Sequence, residues 1–232
     1  MATGVSVVEP IAGVTKAAMN RIATAIEHLD WQNICVQLDR EGFAVLPGIL
    51  GLPDPPRDDC HANFPSLLSS LKHAFYPPLA HIANQWNEIL QLPYRYPRQL
   101  SAFEEQCLAV GQPHELSQLS RLREGEYLEL RQDADGEHVF PLQLLAVLSS
   151  PGEDFTGGEL VLTELRPRMQ SRPMVVPLRY GDIAIITTAQ RPFKGSKGYY
   201  RVNMKHAISR VRSGERRGFS LSFHFAPEST HG

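Results

Sequence analysis

Tyr127-Leu-Glu-Leu-Arg-Gln-Asp133 opens the part of the chain in which short β-type runs replace helical patterning. Tyr127, Glu129, Arg131 and Asp133 fall on odd positions and leucines on the first two even ones, the period of a strand with two unlike faces. Further runs of β-type composition follow at residues 142–148, 159–163, 174–177, 182–187, 200–204 and 218–225, parted by turn residues. Some seven short strands at this spacing predict a sandwich or jelly roll.

Upstream of residue 120 the pattern is mainly helical. Residues 1 to about 15 read as a loose leader, and residues 16–36 carry Ala, Ile, Leu and Trp at amphipathic spacing, a helix ending near Asp39. Gly42-Phe-Ala-Val-Leu-Pro-Gly48 reads as a short buried strand closed by a Pro-Gly turn, and the proline-rich residues 52–59 as loop. Residues 64–74 form a helix, Pro77-Pro78 opens a second through about residue 90, and residues 101–110 form another. The expectation is an α+β chain, mainly β with N-terminal helices: one domain over residues 1–232, helical to about 120 and β from 121 to 228.

Composition narrows the function. With 42% hydrophobic and 21% charged residues the chain has material for a core and no bias toward disorder. A formal charge of −2 argues against a strong sequence-independent grip on nucleic acid. Yet nine cations between Arg191 and Arg217 face only Glu215, which fits either a solvated basic rim or an anion-binding site. Cys35, Cys60 and Cys107 match neither a disulfide framework nor a zinc pattern, so a reducing, cytoplasmic setting is expected. No run approaches the roughly 18 apolar residues of a membrane span, and no secretion signal or membrane partner is expected. A glycine-rich phosphate loop, a G-x-S-x-G elbow and internal repeats are all missing from the sequence. Oligomeric state is not legible in it.

As a strand, Tyr127–Asp133 would place Tyr127, Glu129, Arg131 and Asp133 on one face. Ionisable groups side by side are costly unless paired or wet, so this face lines a site or belongs to an edge strand in open water. His73 and His81, in helical stretches without a ligand-spaced partner, read as structural. His224 alternates with apolar residues and could face either way.

Three ordered stretches carry a family resemblance: Gly136-Glu-His-Val-Phe-Pro-Leu-Gln143, Phe155-Thr-Gly-Gly-Glu-Leu-Val-Leu162, and Arg201-Val-Asn-Met-Lys-His206 followed by Arg210-Val-Arg-Ser-Gly214. Together they resemble non-haem Fe(II)/2-oxoglutarate oxygenases, in a bacterial branch labelled as acting on damaged nucleic acid. The resemblance covers roughly residues 120 to 226, and more loosely Tyr76-Pro-Pro-Leu-Ala80. It implies a double-stranded β-helix, the cupin-like jelly roll, with Fe(II) and 2-oxoglutarate as cofactors. The family's metal triad is His-x-Asp plus a distal His, and here Asp133 and His206 fall on two of its positions.

Arg131 stands on the third, and a guanidinium has no lone pair to give a metal. Glu129 or His138 could supply the missing ligand, Arg131 could pair with Asp133 and leave an iron-free pocket, or Arg131 could clamp a substrate carboxylate or phosphate. The resemblance further implies that Arg216, ten residues after His206, and Tyr127 hold the far carboxylate of 2-oxoglutarate. It makes Thr156-Gly-Gly-Glu159 a structural turn, and His138 a supporting residue more than a ligand. The expected activity is oxidation of a small acidic substrate, with nucleic acid less favoured. The alternatives are a redox-neutral enzyme using Arg131, Glu129, Tyr127 or His206 without iron, and a non-catalytic ligand-binding descendant.

Overall fold

A computed structural model of the chain describes residues 16–51 and 64–228. The expected leader, the proline-rich loop and Cys60 lie outside them. Helices come first: α1 (Lys16–Glu27), α2 (Trp31–Glu41), α3 (Phe64–Ile89) and α4 (Leu100–Ala109), with strand β1 (Phe43–Leu46) between α2 and α3. The β region then runs β2 (His114–Glu115), β3 (Gln118–Arg123), β4 (Leu128–Arg131), β5 (Leu142–Val147), β6 (Phe155–Gly157), β7 (Leu160–Leu165) and β8 (Arg172–Val176). It ends with β9 (Ile183–Thr187), β10 (Gln190–Gly195), β11 (Gly198–Ile208), β12 (Val211–Leu221) and β13 (Phe225–Ala226).

Two helical expectations need correction. The expected helix over residues 16–36 is two helices, because Asp30 caps the second by accepting from the Asn33 backbone N–H at 2.9 Å. The two expected helices on either side of Pro77-Pro78 are one, α3. Its apolar face runs unbroken through Leu71, Phe75, Tyr76, Leu79 and Ala83, all buried, and that packing outweighs the backbone hydrogen bonds two prolines remove. No described helix is long and apolar enough to cross a membrane.

Antiparallel pairing among the described residues builds two large sheets and a two-stranded one, β13 with β2. One orders its strands β1-β9-β5-β12-β3 with β6 also on β12; the other orders β10-β11-β7-β8 with β4 also on β11. Facing sheets curled this way form the double-stranded β-helix. Leu145, Val147 and Ile186 from the first meet Leu160, Leu162, Val176, Val202 and Met204 from the second in one apolar layer. The outer side of the first sheet, through Leu142, Leu144, Ile183, Ile185 and Phe219, packs on the helices. Strands β2, β3, β6 and β10 were not expected. β3, Gln118-Leu-Ser-Arg-Leu-Arg123, is an edge strand of mixed polarity whose pairing with β12 gives it its conformation.

The helical layer is fixed to the sheets by Arg191. Its guanidinium, with no exposed surface, donates to the Asp39 and Arg40 carbonyls at the end of α2 at 2.6 and 3.2 Å and pairs with the Glu164 carboxylate on β7. Gly42 ends α2 at φ +79°, and a Cβ there would meet Met204 Cε at 2.8 Å and Arg191 Nε at 3.0 Å. Arg191 therefore lies close against the backbone it caps.

Candidate functional site

Along β11 the side chains alternate, and Val202, Met204, His206 and Ile208 all point inward and are buried. His206 is thus a lone polar group in an apolar row. Facing it, β5 is buried along its whole length, and its inward Gln143 brings Nε2 to 3.3 Å from His206 Nδ1. Beside it, β4 pairs out of step: Leu128 lies opposite Ile208 but Arg131 lies opposite His206, so three steps on one strand match two on the other.

That irregularity decides which residues enter the site. It reverses the inward phase between Leu128, which packs on the inter-sheet core, and Arg131. Tyr127 is 54% exposed and Glu129 is also exposed, so the expectation of four polar groups on one face is corrected. Arg131 and Asp133 reach the site; Tyr127 and Glu129 do not. Past β4, the Gln132 amide donates to the Ala189 and Met204 carbonyls at 3.0 and 2.7 Å, tying the segment that carries Asp133 to β11.

Asp133 is shared between two neighbours. One oxygen accepts from Arg131 Nε at 2.9 Å, and the other lies 3.2 Å from His206 Nε2. Burial pushes the Asp133 carboxyl up, but His206 and Arg131 together outweigh it and hold the group below its ordinary value. The second contact is close in distance yet off the line of a hydrogen bond, so the buried His206 Nε2 has no partner. Two donors about 2.1 Å from one cation at right angles stand about 3 Å apart, so this nitrogen and oxygen suit adjacent octahedral positions. Among the described residues no three His, Cys, Asp or Glu side chains converge on one metal position.

His224 faces inward, settling the orientation the sequence left open. It is 1% exposed, with Nδ1 3.0 Å from Ser222 Oγ and Nε2 unpartnered. Burial pushes its value down to about 4, opposed more weakly by the nearby Asp133 backbone. His138 is held away from ligation: its backbone exchanges hydrogen bonds with the Gln112 side chain at 2.8 and 3.1 Å, and its ring stacks on Tyr94. His73 and His81 are exposed on α3.

Arg216 projects inward from β12 and is almost wholly buried. Its Nε donates to the Gly158 carbonyl at 2.8 Å, and among the described residues no carboxylate pairs with it. Burial alone pushes it down to about 10. A Cβ on Gly218 would stand 2.4 Å from the Ala146 carbonyl oxygen and 2.9 Å from Arg216 Nη1, so glycine here admits both the neighbouring strand's backbone and the guanidinium. The Gly157-Gly158 turn, expected to be structural, supplies the carbonyl that holds this arginine. A cavity of about 280 Å³ opens against it, lined largely by apolar side chains such as Val147, Phe155, Leu160 and Val176, with Thr156 and Glu159 also on its wall. Arg216, Gly218 and Ser220 occupy alternate positions of β12, and Ser220 pairs with Leu145, two residues from Gln143. The arginine and His206 are thereby linked along one inner surface.

Gln143, Gln132 and Gly218 were not among the expected site residues. Only Gln143 left a signal in the sequence, as a lone amide within the apolar run 142–147.

Residues 60–226 match the model of a family described as oxygenase, catalysing oxidative methylation of damaged DNA. Two uncharacterized Mycobacterium tuberculosis proteins, MT2286 of strain CDC 1551 and Rv2227 of strain H37Rv, are 38% identical over 160 residues, 69% of this chain and 69% of each of theirs. Solved structures with similarity include a 2OG-Fe(II) oxygenase family oxidoreductase from Burkholderia pseudomallei, 15% identical, TM-score 0.47, covering 86% of this chain and 93% of that one. Another is a Pseudomonas putida prolyl-4-hydroxylase, 13% identical, TM-score 0.41, covering 87% of this chain and 93% of that one.

Proposed function

Since this chain belongs to the family of oxygenases described as acting on damaged DNA, we propose that it oxidises a small acidic substrate with Fe(II) and 2-oxoglutarate, through a metal site to which the protein gives only Asp133 and His206. The observation that carries this reading is the unpartnered, buried His206 Nε2 lying 3.2 Å from Asp133 Oδ2. Both groups suit Fe(II) in type and spacing, and a two-residue set leaves further positions to the co-substrate and to small ligands. Held there by Asp133 and His206, Fe(II) would supply dioxygen chemistry, with one oxygen atom of O2 going to a substrate C–H bond as a hydroxyl and the other to 2-oxoglutarate, which would leave as succinate and CO2.

The chain's own residues bind and orient. Arg216 holds the far carboxylate of 2-oxoglutarate, since a buried guanidinium without a carboxylate of its own calls for an anion from outside. Arg131 uses Nε on Asp133 and keeps its terminal nitrogens for a substrate carboxylate. Met204 and Ile208, flanking His206, keep water from its ring. The reading does without Tyr127 and Glu129, whose side chains lie in solvent. A small substrate is preferred to nucleic acid because Arg191 and Arg216 are buried, which removes two cations from the basic run that suggested a phosphate track.

The closed Arg131–Asp133 ion pair favours a second reading, a redox-neutral enzyme in which Arg131 takes the place of a cation and His206 moves protons. Anaerobic Fe(II) titration of the wild-type chain, Asp133→Ala, His206→Ala and Arg131→His separates the two. Stoichiometric iron in the wild type, lost in both alanine variants, supports the oxygenase. Iron bound by Arg131→His alone moves the assignment to the redox-neutral enzyme.

A further inference from the structure

We infer that the cavity beside Arg216 is a ligand site with a mouth of its own, at the end of the β-helix away from Asp133 and His206, and that it takes a short aliphatic monocarboxylate. The inference goes beyond the oxygenase reading and needs no cation. None of Arg131, Asp133, Gln143 and His206 lines this cavity. His206 pairs with Leu162, four residues along the chain from the Gly158 carbonyl that holds Arg216, a separation of roughly 13 Å at the rise of a strand. Buried side chains stand in that interval: Ile208, between His206 and the turn into β12, and Leu145, between Gln143 and the cavity-lining Val147. The cavity opens instead past Thr156, Glu159, Val175 and Pro177, all of them exposed.

The buried end of the cavity and its walls select different parts of a ligand. At the buried end lies the Arg216 guanidinium, 3% exposed, with Nε given to Gly158 and no carboxylate among the described residues to neutralise it. A cation out of water is costly until an anion joins it, and the two terminal nitrogens of a guanidinium suit the two oxygens of a carboxylate. Glu159 on the rim does not supply that anion, since its carboxylate accepts from Ser209 Oγ. The walls are apolar, and Val175, 60% exposed, carries apolar surface out to the rim. Arg216 is the one cation of the lining among the described residues, so a second negative charge would lie against hydrocarbon. That separates a monocarboxylate from phosphate and from a dicarboxylate. An apolar cavity of about 150 Å³ admits a six-carbon ring, so about 280 Å³ holds an acid of about six carbons with its carboxylate on Arg216. Where 2-oxoglutarate also reaches Arg216, as the oxygenase reading has it, the two ligands claim one guanidinium and exclude each other.

The test is calorimetric titration of the full chain, without added metal, with 4-methylpentanoate. Glutarate, inorganic phosphate and 4-methylpentan-1-ol serve as comparisons, and thermal melts confirm that each variant folds. The wild type should bind 4-methylpentanoate at least about tenfold more tightly than any of the three. Arg216→Met should bind it roughly 10- to 100-fold more weakly. Val176→Phe, which fills the cavity, should also weaken binding, and Val175→Trp on the exposed rim replaces it if that variant does not fold. Asp133→Ala and His206→Ala should keep wild-type affinity. Loss of binding in those two variants would put the ligand at the other end of the β-helix and overturn the proposal. So would wild-type affinity in Arg216→Met, equal affinity for the alcohol, or no binding of 4-methylpentanoate by the wild type. Titrating 2-oxoglutarate into protein saturated with 4-methylpentanoate then tests the oxygenase reading separately. A raised apparent dissociation constant supports one shared guanidinium, whereas simultaneous binding leaves the cavity site standing and removes 2-oxoglutarate from Arg216.

Discussion

Arg191 and Arg216 come from the same basic run, and both are out of water, yet their surroundings are opposite. Arg191 has the Glu164 carboxylate, the carbonyls that end α2 and the ring of Phe193 around it. Arg216 has one backbone carbonyl and an apolar cavity. A buried cation that brings its own anion holds structure together. One that lacks an anion stores a desolvation cost that only a bound ligand offsets.

Breaking the first arrangement should have the largest effect. Glu164→Gln leaves Arg191 buried without its anion and should cost about 3–5 kcal/mol in urea unfolding, whereas replacing both residues by methionine should recover much of it. Equal losses in the single and double variants would mean that the helix-capping bonds, and not the ion pair, carry the stability.

His224 extends the comparison to a buried group that avoids charge altogether. Its folded value, about 4, lies below the ordinary 6.5, so between these the unfolded chain takes up a proton that the folded chain refuses. Its contribution is whole above about pH 6.5 and declines as pH falls toward 4, by about 3 kcal/mol in total. Unfolding measured across that window should lose this slope in His224→Phe; an unchanged slope would place the titration elsewhere.

The smallest effect concerns Arg216. At 100 times its dissociation constant, 2-oxoglutarate should stabilise the wild type by about 2.7 kcal/mol and leave Arg216→Met unmoved. Without ligand, that variant should melt no lower than the wild type, with a gain of up to about 1 kcal/mol, because removing an unpaired buried charge relieves a cost. A variant less stable than the wild type would make Arg216 a structural residue like Arg191.

Much of this was legible in the sequence. The change from helical to β-type patterning near residue 120 is real, and the expected strand at residues 200–204 falls within β11. The face of Tyr127–Asp133 was misjudged, since strict alternation holds only while two strands stay in step. The out-of-step pairing of β4 with β11 sends Glu129 outward and Arg131 inward, and it depends on a partner some 75 residues away. Local sequence carries no trace of it. Pro77-Pro78 likewise reads as a helix boundary until the apolar face of α3 is seen packed on both sides of it.

By itself the sequence determined which chemical groups were available: Asp133 and His206 with donor atoms, and Arg131 with none where the family resemblance sets a ligand. Those properties belong to the side chains and hold in any fold. The tertiary structure decided what each group meets. It gave Arg191 a carboxylate and Arg216 none, and it placed Gln143 against His206 from the opposite sheet. Burial and pairing are properties of packing between distant segments, and they separate a structural charge from one left open to a ligand.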